Sequence, residues 1–229
     1  MSAAIRAISS MATRQVLAEL AAAYQQRAGV SVRFESVGGV DAARRVQAGE
    51  PFDGVVLASD AIDKLAAGGA TVAGSKVDLV HSPVAVAVRA GAPAPDIATE
   101  DALRRDVEAA ASIGYSTGPS GTALMRLFQR WGIAAGIEQR LVQAPPGVPV
   151  GTLVANGVVA LGFQQLSELL HVQGIALVGP MPQPVQIITT FSGAVCAAST
   201  QADAVRRMLA FMASPEADSA KQRHGMEPA

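Results

Sequence analysis

The chain has a single cysteine in 229 residues. One thiol excludes an internal disulfide framework and a multi-cysteine zinc site. Cys196 lies in "SGAVCAAS", an apolar run of strand character, and reads as a buried, inert thiol. Aromatic residues are only 4%, so a core must be built from Ala, Val, Leu and Ile. Neither sign of charge is in excess: 18 Lys and Arg face 19 Asp and Glu. That balance excludes a basic footprint for nucleic acid or an anionic membrane surface. No run reaches the roughly 18 apolar residues of a spanning helix, so membrane insertion is not expected. The opening "MSAAIRAISSMATRQVL" lacks an apolar core followed by a small-residue cleavage site. As written, the chain is expected to be cytoplasmic, or periplasmic if an export signal has been removed. No His/Cys/carboxylate spacing suggests a metal cage, and no G-x-x-x-x-G-K-[ST] loop appears. No cofactor or metal is therefore expected.

What is present is alternation. "IRAISS" reads as a strand, and "MATRQVLAELAAAYQQRAG" as a helix with Val16, Leu17, Leu20, Ala21 and Tyr24 on one face and Gly29 as its stop. "VSVRFESV" and "FDGVVLAS" are further strands, each followed by a helical stretch. This βαβαβα order implies a parallel sheet with helices on its faces. A long extended run follows, "VDLVHSPVAVAVRAGAP", with Pro83 marking an edge, a bend or a change of sheet. A second alternating set runs from "TEDALRRDVEAA" to "IALVG", and then comes a second long β-rich run, "VQIITTFSGAVCAAS". The helix "DAVRRMLAFMAS" is expected to close the chain. Two α/β sets joined by two long extended runs imply two lobes: residues 1–82 with 188–229, and residues 83–187, each a mostly parallel sheet flanked by helices, joined by two crossover strands.

The stretch "YSTGPSGT", Tyr115 to Thr122, sets four Ser and Thr hydroxyls and two glycines where a strand gives way to a helix. A helix N-terminus carries roughly half a positive charge and several unpaired N–H groups. Ser and Thr add neutral donors, and Gly lets a ligand approach the backbone, so an anion can be bound without net positive charge. Plain helix capping by Ser120 or Thr122 is the competing reading. Similar loops recur: Ser9 and Ser10 before the first helix, Ser36, Gly38 and Gly39 before the second, and "PVGT" with "FQQ" further on.

In order and spacing, these segments resemble the class II periplasmic binding-protein fold, nearest the molybdate-binding proteins. "AISSMATRQVLAELAAAYQQRAGVSVRF", "GGVDAARRVQAGEPFDGVVLAS", "GPSGTALMRLFQRWGI" and "VGTLVANGVVALGFQQLSELL" carry the resemblance across nearly the whole chain. It implies an α/β, two-lobed protein that closes on a small anion. Ligand contacts are then expected from Ser9, Ser10, Ser36, Gly38, Gly39, Ser82, Ser116, Thr117, Ser120, Gly121, Thr122, Val150, Gln164 and Gln165. Ser120 and Thr122 would hold one carboxylate, with Ser10 donating from the other lobe.

The departures redirect the ligand. Gly38 and Gly39 stand where the family usually has paired serines, and "FQQ" stands where its molybdate binders carry a tyrosine. A proton-free oxyanion wants donors only, whereas Gln164 and Gln165 both donate and accept. A small di- or tricarboxylate fits mixed partners better than molybdate. Interlobe hydrogen bonding without ligand is the alternative role for the glutamines.

Two functions follow from the resemblance. One is a binding protein for a small anion, partnered by a transporter permease only if exported. The other is an isomerase of the aconitate isomerase type, an enzyme among the family's relatives, which moves a double bond in a polycarboxylate by proton transfer. That chemistry needs one base and donors for the developing enolate-like charge. His81, Tyr115 or a cleft carboxylate would supply the base. His81 is equally a structural histidine. Arg14, Arg44 and Arg45 would clamp a carboxylate or lie on solvated helix faces, and Glu35 reads as a surface charge. His171 and His224 are expected at exposed helix ends.

Overall fold

The computed structural model describes residues 4–229. The N-terminal reading made from the sequence includes residues 1–3, which lie outside the described residues. In chain order the elements are β1 (Ile5–Ser10), α1 (Arg14–Ala28), β2 (Val32–Val37), α2 (Gly39–Gln47), β3 (Gly54–Ala58), α3 (Ser59–Ala67) and β4 (Val77–Arg89). There follow α4 (Glu100–Ala109), β5 (Ile113–Tyr115), α5 (Pro119–Arg130), α6 (Ala134–Ile137), β6 (Leu141–Gln143), α7 (Val150–Ala155), β7 (Leu161–Gln165), α8 (Leu166–Leu169) and β8 (Ile175–Pro180). The last are β9 (Ile188–Val195), α9 (Ala202–Met212), α10 (Asp218–Arg223) and β10 (Glu227–Pro228). The chain does not close with α9, because α10 and β10 follow it. A short 3-10 turn, Met11–Thr13, precedes α1, so the first helix starts three residues later than its apolar period suggests.

The chain divides into two compact units, Met1–Ser82 with Thr189–Ala229, and Pro83–Ile188. It passes from the first to the second inside β4, at Ser82–Pro83. β4 is unbroken by Pro83, but its partners change there: Val80 and His81 pair with β10, whereas Val84 to Val88 pair antiparallel with β7.

In the first unit the strands run β2-β1-β3-β9-β4, with β10 on β4. β2, β1 and β3 are parallel, and β9 is antiparallel to β3. Successive side chains of a strand face opposite ways, and β3 shows it. Val56 and Ala58 join the cluster of α1 and α9, which includes Val16, Leu17, Leu20, Tyr24, Val205, Met208 and Leu209. Val55 and Leu57 join that of α2 and α3, with Val46, Ile62 and Leu65. Helices on both faces explain why all five residues of β3 are buried. The buried face of α1 is Val16, Leu17, Leu20, Ala21 and Tyr24, and Gly29 ends the helix at φ 69°, a left-handed conformation that glycine adopts without Cβ strain.

In the second unit β7 lies between β4 and β5, β6 lies beyond β5, and β8 pairs with β4. β5 is parallel to β6 and β7. Val84, Val86 and Val88 face a cluster with Leu103, Phe128, Trp131 and Phe163. Ala85 and Ala87 face Leu169 of α8. The alanine face is small because helices sit close to it. A Cβ on Gly162 would come within 2.4 Å of Val154 in α7.

Candidate functional site

Loops that leave parallel strands open at the carboxyl edge of the sheet, where α/β proteins bind ligands. In the first unit Ser9 lies opposite Ser36 across the β1–β2 pair. Ser9 is fully buried, and its hydroxyl is 2.9 Å from that of Ser36. Ser10 ends β1, and its Oγ accepts a long bond of 3.4 Å from the Ala12 N–H. Gly38 precedes α2 without a side-chain cap, and a Cβ on Gly39 would lie 3.7 Å from Ser10 Oγ. The fold thus gathers Ser9, Ser10, Ser36, Gly38 and Gly39 into one neighbourhood. Arg14 is exposed and shares with Ser36 a recess of about 610 Å³ that runs along α1 and β2.

Two nearby cations are engaged. Arg44 pairs with Asp41. Arg45 pairs with Glu35 and Glu50 and lies 5.1 Å over the Phe52 ring. The guanidinium beside it holds the Glu35 carboxyl below the usual carboxylate range. On β4, His81 is half-buried with Nδ1 3.0 Å from Thr190 Oγ1. Next to it Ser82 is fully buried, and its hydroxyl has no hydrogen-bond partner among the described residues.

In the second unit, capping does not explain the hydroxyls of "YSTGPSGT". The residue before α5 is Gly118, with no side-chain cap bond. Ser120 Oγ is instead 3.1 Å from Ser116 Oγ, and Thr122 Oγ1 lies 3.5 Å from the Gly118 carbonyl. Ser120 is buried, Ser116 half-buried, and Thr117 and Thr122 exposed. Gly121 has a packing reason: a Cβ there would fall 1.9 Å from the Ser116 carbonyl oxygen. Tyr115 is half-buried against the apolar cluster of α5 and β7.

Gln164 and Gln165 end β7 and are both 3% exposed. Val150, the fully buried first residue of α7, is followed by Gly151, whose N–H donates to Gln164 Oε1 at 3.2 Å. Gln164 also hydrogen-bonds the side chain of Glu168 on α8. Burial pushes the half-buried Glu168 carboxyl up to about 7, and the Gln164 bond opposes that rise only in part. Glu168 was missed in the sequence because a glutamate in "LSELL" reads as the polar side of a helix. The available signal was its spacing, four residues after Gln164, with no Lys or Arg from Val150 to Pro180.

The remaining histidines divide. His171 is exposed. His224 is not the exposed helix end expected: it is half-buried, with Nε2 2.9 Å from Glu19 Oε2. Cys196 is buried, and burial pushes its thiol up to about 12, where it is inert at neutral pH. Among the described residues no three His, Cys, Asp or Glu side chains are grouped to hold a metal ion. No helix of the described residues is long and apolar enough to cross a membrane.

Chemically, the loops offer neutral donors, carboxamides and one carboxyl that changes charge near neutrality. A family model described as bacterial extracellular solute-binding protein matches residues 5–227, and the chain belongs to that family. It is 39% identical over 227 residues to an aconitate isomerase from Pseudomonas sp., covering 96% of this chain and 86% of the relative. Among solved structures it resembles the sulfate-binding protein SubI from Mycobacterium tuberculosis, with TM-score 0.82 at 17% identity over 100% of this chain and 88% of that one. It also resembles the Azotobacter vinelandii periplasmic molybdate-binding protein, with TM-score 0.79 at 18% identity over 97% and 98% of the two chains. The fold is therefore that of the periplasmic binding proteins.

Proposed function

We propose that this member of the solute-binding family is an isomerase of the aconitate isomerase type, which binds a small polycarboxylate and moves its carbon–carbon double bond by proton transfer. The observation that carries this reading is the 39% identity to a protein of that name along 96% of the chain. The side chains agree with it. Gln164 and Gln165 can meet both donors and acceptors on an organic acid, and Gly38 and Gly39 remove two hydroxyls that a bare oxyanion would use. Neutral hydroxyls and N–H groups suit charge that develops during the reaction, because fixed dipoles need not reorganise as it forms. The reaction is redox-neutral.

Incubating the purified protein with trans-aconitate and following the cis isomer by proton NMR tests the proposal. Catalytic conversion is expected. A second reading, capture of an organic acid without turnover, is favoured by the family's description as solute-binding. Calorimetric binding with no conversion would select that reading, and sub-micromolar molybdate binding with no heat from organic acids would exclude both.

A further inference from the structure

We propose that Glu168 is the group that takes the proton from the substrate and returns it, and that Gln164 positions its carboxyl. This rests on the isomerase reading. The geometry begins with Gln164, which is 3% exposed at the end of β7. Its Oε1 accepts the Gly151 N–H at 3.2 Å. A flipped amide would set two donors against each other, so the amide orientation is fixed. The NH2 end is thereby left to donate to the Glu168 side chain, four residues on in α8.

Among the described residues, the elements packed around that carboxyl carry few charges. α7 and α8 both pack on β7 and β8. None of β7, β8 and α7 carries a titratable side chain, and α8 has none besides Glu168. Leu169 of α8 packs on Ala85 and Ala87 of β4, whose charged residue in this unit, Arg89, is exposed at the strand end. His171 follows α8 and is exposed. The acid form is favoured by burial and the base form by one amide donor, and the two balance near neutrality. A group that must both accept and release a proton works best there.

The step balances with one such group. The carboxylate removes a proton from the methylene next to the double bond. The C–H electron pair becomes the new C=C to the central carbon. The old π pair moves to the former vinyl carbon, which takes the proton back from Glu168. In between, the charge spreads into a substrate carboxylate. Nothing is oxidised or reduced, and no second base is needed.

The test compares Glu168→Gln, Glu168→Asp and Gln164→Leu with the unaltered protein, using trans-aconitate as substrate and ligand. Glu168→Gln keeps the shape and cannot carry the proton. It should lose on the order of 10²–10⁴-fold in kcat, keep the calorimetric Kd within about threefold, and stop deuterium entering substrate in D2O. Glu168→Asp should recover part of the rate. The unaltered protein should show kcat/KM rising with pH through about 7. Gln164→Leu removes a donor to the base form, so that limb should move to higher pH, which a purely structural role would not do. Melting curves check that each variant folds. A folded Glu168→Gln variant within fivefold of full kcat, or an acid limb that persists in it, overturns the assignment while leaving the isomerase reading intact. No conversion by the unaltered protein overturns both.

Discussion

Two carboxylates show how differently the units treat a buried acid. In the first unit Asp53, 9% exposed, accepts the Arg6 N–H at 2.9 Å, the Ser199 hydroxyl at 2.9 Å and the Gln201 amide at 3.1 Å. These donors tie β1 to the segment after β9, so the Asp53 side chain is a structural hub. In the second unit burial raises the Glu168 carboxyl to about 7, and the hydrogen bond from the Gln164 amide opposes that rise only in part. Burial with enough donors makes a carboxylate a fastener. Burial with too few leaves it undecided between two charge states, which is a property chemistry can use.

The comparison can be broken at either end. The largest effect is expected from Asp53→Ala, which strands three donors. Removing one side of a buried charged network costs about 3–5 kcal/mol. At 2–4 °C per kcal/mol for a chain of this size, the melting temperature should fall by roughly 6–20 °C. A fall of under 2 °C would mean that water replaces the carboxylate and that the hub is not structural.

Glu168→Gln should do the opposite, in a pH-dependent way. The unfolded carboxyl titrates near 4.5 and the folded one near 7. A raised folded value contributes stability below pH 4.5, and that stability is lost as the pH rises through 7. Above pH 7 the unaltered protein therefore carries an ionisation penalty that the glutamine variant lacks. The gap of about 2.5 units, at 1.36 kcal/mol each, sets an upper size of about 3 kcal/mol. Chemical denaturation at pH 8 should show Glu168→Gln as the more stable protein, and the advantage should vanish by pH 4. Equal stability of the two at pH 8 would contradict the shift.

The smallest effects belong to the hydroxyls. Donors to a charged ligand are worth about 1.5–3 kcal/mol each. Ser120→Ala and Ser10→Ala should then each weaken polycarboxylate binding by roughly 10- to 150-fold. Their stability should fall by only about 1 kcal/mol, the scale of one neutral hydrogen bond. Unchanged affinity in both would remove these loops from the ligand site and leave Ser116 and Ser120 as a self-satisfied pair.

Much of the fold is legible because it rests on local period. The five-residue face of α1 and its Gly29 stop follow from spacing alone, and the change of partners at Pro83 follows from an imino acid inside a long strand. The site is legible only where composition is odd, as in the crowded hydroxyls of Tyr115 to Thr122. Gly121 also has a packing reason in the Ser116 carbonyl, a contact within its own loop that propensity does not encode. Glu168 offered only its spacing from Gln164, because its character comes from what surrounds it, and one letter carries no burial. Asp53, in "EPFDG", was invisible for the same reason: two of its donors come from about 150 residues further along the chain. His224 read as an exposed helix end because its partner Glu19 lies 205 residues away.

The most direct measurement is a carbon-13 NMR titration of the Glu168 side-chain carboxyl, identified by its absence in Glu168→Gln. The account predicts a midpoint near 7, moving upward in Gln164→Leu. A midpoint at the ordinary glutamate value of about 4.3 would contradict it, because the carboxyl would then be a plain surface anion, too weak a base to draw a proton from carbon at neutral pH.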